Sequence, residues 1–142
     1  MKKVREILEV KGRDVWSIGP DASVFDALKL MAEKDVGALV VLEGGKLVGI
    51  ISERDYARKI VLLGRASPTT QVKEIMTTDV ACVDPEQNVD QCMAMVTEKR
   101  IRHLPVLENG KLIGLISIGD LVKSIITEQQ FIIEQLERYI KG

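Results

Sequence analysis

Shifting the sequence by 65 residues lays 15–61 over 80–126 without a gap, and this constrains the chain more than any other feature. Pro20/Pro85, Val24/Val89, Glu33/Glu98, Lys34/Lys99, Leu39/Leu104, Val41/Val106, Leu42/Leu107, Glu43/Glu108 and Gly45/Gly110 are identical across that shift. KLVGIIS and KLIGLIS then differ only among aliphatics, and the runs end as GIISERD (49–55) and GLISIGD (114–120). Outside this block VREIL (4–8) matches VKEIM (72–76) at an offset of 68, so the first lead-in carries three extra residues. Chance does not write such a match in 142 residues; the chain is a duplicated unit.

Both copies follow one grammar. VWSIGP and VACVDP each read as a short strand entering a turn, because the residue before proline avoids the helical region. Ser23 and Asn88 then cap amphipathic helices, with Val24, Ala27, Leu28 and Met31 on one apolar face and Val89, Cys92, Met93 and Val96 on the other. ALVVL and HLPVL read as buried strands, Gly44-Gly45 and Asn109-Gly110 as hairpin turns, and KLVGIIS and KLIGLIS as the return strands. Helices follow from about 53 to 63 and from about 118 onward. The expected fold is α/β (α+β): two β-α-β-β-α repeats packed back to back in pseudo-two-fold symmetry, since a three-stranded sheet with helices on one face needs cover on the other. The expected division is 1–63 for the first repeat with its lead-in, 64–71 (GRASPTTQ) for a linker, 72–126 for the second repeat and 127–142 for a helical extension.

Composition narrows the function. Apolar residues make up 46% and aromatics 4%, so Val, Ile, Leu and Ala must build the core. Twenty basic residues against 21 acidic ones leave no surplus to drive phosphate-backbone binding, which argues against a nucleic-acid partner. MKKVREILEVKGRD has no apolar signal-peptide core, and no apolar run reaches the ~18 residues that span a bilayer, so a soluble cytoplasmic protein with no membrane partner is expected. Cys82 and Cys92, ten apart in apolar surroundings, read as buried reduced thiols. No H-E-x-x-H, C-x-x-C, P-loop or G-x-G-x-x-G occurs, so neither a metal site nor catalytic residues are expected, and the chain reads as a non-enzyme.

The doubled Ser-x-x-Asp, at Ser52/Asp55 and Ser117/Asp120, has two readings. It is a near relative of the capping box, in which Ser satisfies an orphan N–H and the acid complements the helix dipole. It is also chemically a nucleoside holder. The glycine three residues before each Ser permits close backbone approach, a helix start attracts polar oxygens, and a carboxylate one turn in accepts from both ribose hydroxyls.

The doubled pattern closely resembles a tandem pair of CBS domains (a Bateman module). The residues that carry it are P-D-A-S-V-x-D-A-L, G-A-L-V-V and G-I-I-S-E-R-D in the first copy, and D-P-x-x-N-V, R-H-L-P-V and G-L-I-S-I-G-D in the second, over about 4–126. The resemblance implies two clefts between the repeats, each able to hold an adenosine ligand, with the motif Asp on the ribose and the Ser near ribose or phosphate. Carried over, cleft one would join Ser52, Arg54 and Asp55 to Arg102, His103 and Pro105, with Cys82 and Val83 near the base. Cleft two would join Ser117 and Asp120 to Gly37 and Ala38, with Ser17 and Ile18 near the base. Arg54, Arg102 and His103 make cleft one the expected phosphate site, while cleft two has Gly119 and Gly37-Ala38 at the matching places.

The resemblance to stand-alone bacterial pairs implies an adenine-nucleotide sensor with AMP as the first ligand and NAD(H), ADP, ATP or S-adenosylmethionine open. It also implies a two-fold homodimer and an unidentified protein target. The alternative is a ligand-independent structural or dimerisation module whose Ser-x-x-Asp elements are only caps. Leu121, Val122, Ile125, Ile126, Ile132, Ile133, Leu136, Tyr139 and Ile140 trace a helical apolar face, broken by Thr127–Gln130, that is suited to packing on its own domain or on a second chain.

Overall fold

The computed structural model describes residues 2–141. In chain order its elements are α1 (Val4–Lys11), β1 (Ser17–Ile18), α2 (Val24–Lys34), β2 (Ala38–Glu43), β3 (Lys46–Ser52) and α3 (Glu53–Tyr56), which a π-helical turn (Ala57–Val61) continues. They go on as α4 (Val72–Ile75), α5 (Val89–Lys99), β4 (His103–Glu108), β5 (Lys111–Ser117) and α6 (Ile118–Lys141). The chain forms two compact units: residues 14–81 (unit I) and residues 2–13 with 82–141 (unit II).

The local chemistry of each copy accounts for its elements. Ser23 Oγ accepts from Asp26 N–H at 3.0 Å and starts α2. Asn88 and Gln91 exchange bonds of 2.9 Å and start α5. Each cap is worth about 1 kcal/mol. Both helices stop on a left-handed residue, Asp35 at φ 54° and Arg100 at φ 53°. The hairpin turns are left-handed at both central positions, Gly44-Gly45 (φ 58° and 79°) and Asn109-Gly110 (φ 52° and 78°), which matches the twist of the flanking strands.

The sheets are not equal. Unit I has three strands in the order β1-β2-β3, with β1 parallel to β2 and β2 antiparallel to β3. Unit II has β4 and β5 alone, and the expected first strand of that copy is reduced to a single parallel bridge from Val83 to Val106. The cause is one residue. Val40 donates its N–H to Trp16 C=O at 3.3 Å, whereas the residue 65 places on is Pro105, which has no N–H to give.

The lead-ins are exchanged relative to the sequence repeats. Residues 4–8 belong to the unit built by the second copy, and 72–76 to the unit built by the first. Val4, Ile7 and Leu8 are buried in α1, and Val72 and Ile75 in α4; each such side chain is worth roughly 1.5–3 kcal/mol when fully buried. A Cβ added at Gly114 would meet Leu8 Cδ2 at 2.6 Å, and one at Gly49 would meet Met76 Sδ at 2.6 Å. These glycines of the G-x-x-S runs are therefore spaces for the lead-in side chains. The core of unit I is Val24, Ala27, Met31, Leu39, Val41, Ile51, Ile60, Val72 and Ile75.

Helix α6 runs without interruption through Thr127–Gln130, so the polar break in its sequence does not break the backbone. Burial ends with Leu121 and Ser124. Phe131, Ile132, Ile133 and Leu136 are at least half exposed, and Tyr139 and Ile140 are 86% and 81% exposed.

Candidate functional site

Each Ser-x-x-Asp lies where a hairpin's return strand hands over to a helix, and each closes on itself. Ser52 Oγ accepts from Asp55 N–H at 3.2 Å, while Asp55 Oδ2 accepts from Ser52 N–H at 3.0 Å and from the Ser52 hydroxyl at 3.1 Å. Ser117 Oγ accepts from Asp120 N–H at 3.2 Å, and Asp120 Oδ2 accepts from Ser117 N–H at 2.8 Å. The helix start is pinned to the neighbouring strand as well. Glu53 N–H donates to Gly37 C=O at 3.1 Å, and Ile118 N–H donates to Arg102 C=O at 2.8 Å. Strand register then sets Ala38 opposite Ser52 and His103 opposite Ser117.

Both carboxylates carry a lysine. In unit I Lys59, one turn on in the same helical segment, approaches Asp55 Oδ1 at 3.3 Å and donates to Ile75 C=O at 2.9 Å. In unit II the lysine comes from the lead-in: Lys11 Nζ donates to Asp120 Oδ2 at 2.5 Å and to Leu115 C=O at 2.6 Å. Burial alone would raise the Asp120 carboxyl, but the Lys11 hydrogen bond and the Ser117 backbone N–H outweigh it and hold it below its usual value. His103 is held below its usual value by burial first and by the charges of Lys11 and Arg102, against the opposing pull of Asp120. At neutral pH it is therefore an uncharged ring, able to donate one N–H but adding no charge to a phosphate site.

The other sequence-derived residues fall into place by unit. Ser17 and Ile18 form β1 and pair with Val40 and Val41, in the unit that holds Gly37, Ala38, Ser52, Arg54 and Asp55. Cys82, Val83, Arg102, His103 and Pro105 share the other unit with Ser117 and Asp120. Val83 donates its N–H to Pro105 C=O at 3.0 Å, and its own C=O accepts from Leu107. Arg54 and Arg102 are exposed. Cys82 and Cys92 form no disulfide among the described residues; burial pushes the Cys82 thiol up and the Cys92 thiol to about 11. Lys11 was missed in the sequence, because it lies outside the block that repeats at 65 and reaches Asp120 from 109 residues away.

Among the described residues no helix is long and apolar enough to cross a membrane. None of their His, Cys, Asp and Glu side chains group in threes that could hold a metal ion.

Comparison with known proteins agrees with this architecture. The CBS domain family model matches twice, at residues 4–62 and 72–127. A solved CBS-domain protein from Burkholderia ambifaria MC40-6 is 55% identical, with a TM-score of 0.87 over 90% of this chain and 96% of that one. The mitochondrial CBS domain-containing protein CBSX3 of Arabidopsis thaliana is 40% identical, over 98% of this chain and 72% of its own length. The CBS domain pair of protein MJ0100, solved in complex with 5′-methylthioadenosine and S-adenosyl-L-methionine, is 22% identical, with a TM-score of 0.80 over 90% of this chain and 98% of that one. That likeness is one of fold. Two matched copies and neighbours that align along nearly the whole chain leave one conclusion: the chain belongs to the CBS-domain family, as a tandem pair.

Proposed function

We propose that this pair is a non-enzymatic regulatory module that binds an adenine nucleotide at its Ser-x-x-Asp junctions and passes occupancy on as a change of conformation or of partner binding. One observation carries the reading: twice in the chain a partly buried aspartate stands one turn into a helix, beside a lysine, at the end of a strand. Such a carboxylate accepts from the two hydroxyls of a ribose, and the lysine answers a phosphate. The adenosine ligands of the MJ0100 pair support the class of ligand. AMP is the first candidate, with NAD(H), ADP, ATP and S-adenosylmethionine in the same class. A ligand that prefers one of two arrangements supplies the switching energy.

A thermal-shift panel of AMP, ADP, ATP, NAD, NADH and S-adenosylmethionine tests the reading. A ligand at 100 times its dissociation constant adds roughly 2.7 kcal/mol, and about 5–10 °C for a domain of this size. Asp55→Ala and Asp120→Ala should each remove part of that rise. The second reading, a structural module, has its own observation in the reciprocal Ser–Asp bonds, which cap the helices without any ligand. It requires a flat panel and two variants that lose only cap stability.

The bare apolar face of α6 supports a homodimer built on that helix. Ile132, Leu136, Tyr139 and Ile140 recur at helical spacing. Light scattering at micromolar concentration should report twice the mass of 15.8 kDa, and a monomer would rule the dimer out.

A further inference from the structure

The apolar face of α6 reads the same in both directions from Gln129. Ile126 and Ile132 lie three residues from it, Ile125 and Ile133 four, Val122 and Leu136 seven, and Ile118 and Ile140 eleven. Those spacings follow the helical repeat, so these side chains share one stripe. Apart from the half-buried Ile125 they are exposed, and the stripe runs about 33 Å along the helix. A partner of another sequence has no need of two matching halves. A second copy related by a two-fold axis does, because residues equidistant from the axis must meet.

We propose that α6 pairs antiparallel with α6 of a second copy, with the two-fold axis at Gln129 and the partner's Tyr139 seated at Gly119, beside the second Ser-x-x-Asp. This rests on the homodimer reading above and adds to it a direction, a register and a shared wall at Asp120. Gln129 meets its own counterpart at the axis. An amide both donates and accepts, so the two satisfy each other, and one polar pair in an apolar seam fixes register. Charge agrees with the direction. Lys123 comes within a turn of the partner's Glu134 and Glu137, whereas a parallel pair sets each of these level with its own like. Nothing among the described residues requires glycine at 119. Its backbone is helical, and a Cβ added there would meet only Ser117 Oγ, at 3.5 Å, an ordinary contact. Tyr139 lies ten residues after Gln129 as Gly119 lies ten before it, so the bare glycine is the space for the partner's ring. Dimerisation and occupancy of the Asp120 junction are thereby linked.

Cross-linking with a short bis-maleimide tests the register, on the full chain in a Cys82→Ser background, Cys92 being buried. The Gln129→Cys variant should join to itself. The Val122→Cys and Leu136→Cys variants should each stay single alone and join when mixed. Val122→Cys and Leu136→Cys each joining to itself means a parallel pair and overturns the proposal. Light scattering separates the remaining outcomes. A dimeric wild type with no cross-link at any of these positions keeps the homodimer and overturns this register, whereas a monomeric wild type removes both. Gly119→Leu, with helix content by circular dichroism unchanged, should raise the dimer dissociation constant by at least about tenfold. An unaltered constant would show that the partner's Tyr139 does not sit at the junction.

Discussion

The two lead-ins dock on their units by the same backbone bonds and by different side chains. In unit II Val4 N–H donates to Gln87 C=O, Arg5 N–H to Pro85 C=O and Val89 N–H to Lys2 C=O, at 2.9–3.0 Å. In unit I Val72 donates to Ala22, Lys73 to Pro20 and Val24 to Thr70, at 2.8–2.9 Å. Beyond these bonds the copies part. Helix α1 continues to Lys11 and sends that lysine to Asp120. Helix α4 stops at Ile75, and the chain turns extended so that Thr77 exchanges bonds of 2.9 and 3.0 Å with Ile50. Duplication preserved the scaffold bonds, which every copy needs to fold, and left free the residues around the aspartates.

The largest difference should appear at the two glycines. A Cβ at Gly49 would lie 2.6 Å from Met76 Sδ and 2.9 Å from the Thr77 backbone carbonyl, and the carbonyl cannot swing away. At Gly114 the three nearest atoms are all in the Leu8 side chain, whose end can turn. Gly49→Ala should therefore cost about 2–3 kcal/mol, and Gly114→Ala about 1 kcal/mol. Urea unfolding of both variants measures this, and equal losses would show that the extended Thr77 segment yields as easily as α1 does.

Much of this was legible beforehand, for definite reasons. Caps, hairpin turns and strand pairs are local, and Ser23, Asn88, Gly44-Gly45 and Asn109-Gly110 announce them within a few residues. The exchange of lead-ins was not legible. VREIL and VKEIM read alike whichever sheet they cover, and only packing against Gly114 and Gly49 decides it. Pro105 was read as part of a family pattern, although its missing N–H was enough to foretell that the preceding strand would shrink to a bridge. At the site, the Ser–Asp pairs followed from their spacing, whereas Lys11 required knowing which unit α1 joins. Ser124 opposite Lys59 was the available hint, a charge lost from one copy that had to be supplied from elsewhere.

The proline explanation can be tested by importing it. Val40→Pro removes the N–H that reaches Trp16 C=O and should shorten β1–β2 to a single bridge, as in unit II. The expected loss is about 1 kcal/mol, the worth of one backbone hydrogen bond. Pro105→Val should do the reverse, with residue 105 gaining an exchange-protected amide. An unprotected amide there would mean that the segment before Val83 is held out by something other than proline.

The smallest effect is electrostatic and confined to unit II, where the chain's single histidine makes it visible: His103 stands where unit I has Ala38. Its imidazole should titrate below the usual value of about 6.5, and one resolved ring signal in proton NMR follows it. Lys11→Met removes one of the charges that hold it down, so the midpoint should rise, yet stay below the usual value because burial is the larger cause. The same substitution should raise Asp120, which loses a hydrogen-bonded cation. Both folded values are depressed, so both groups stabilise the fold above their unfolded values and lose that contribution as pH falls, His103 from about 6.5 downward and Asp120 from about 4 downward. The Lys11 and Asp120 side chains are 35% and 23% exposed, so the pair is worth at most about 1 kcal/mol. Lys11→Met should therefore flatten the acid limb of the stability curve in two separate windows. A single change confined to the carboxylate window would show that Lys11 acts on Asp120 alone, and that the histidine owes its depression to burial and Arg102.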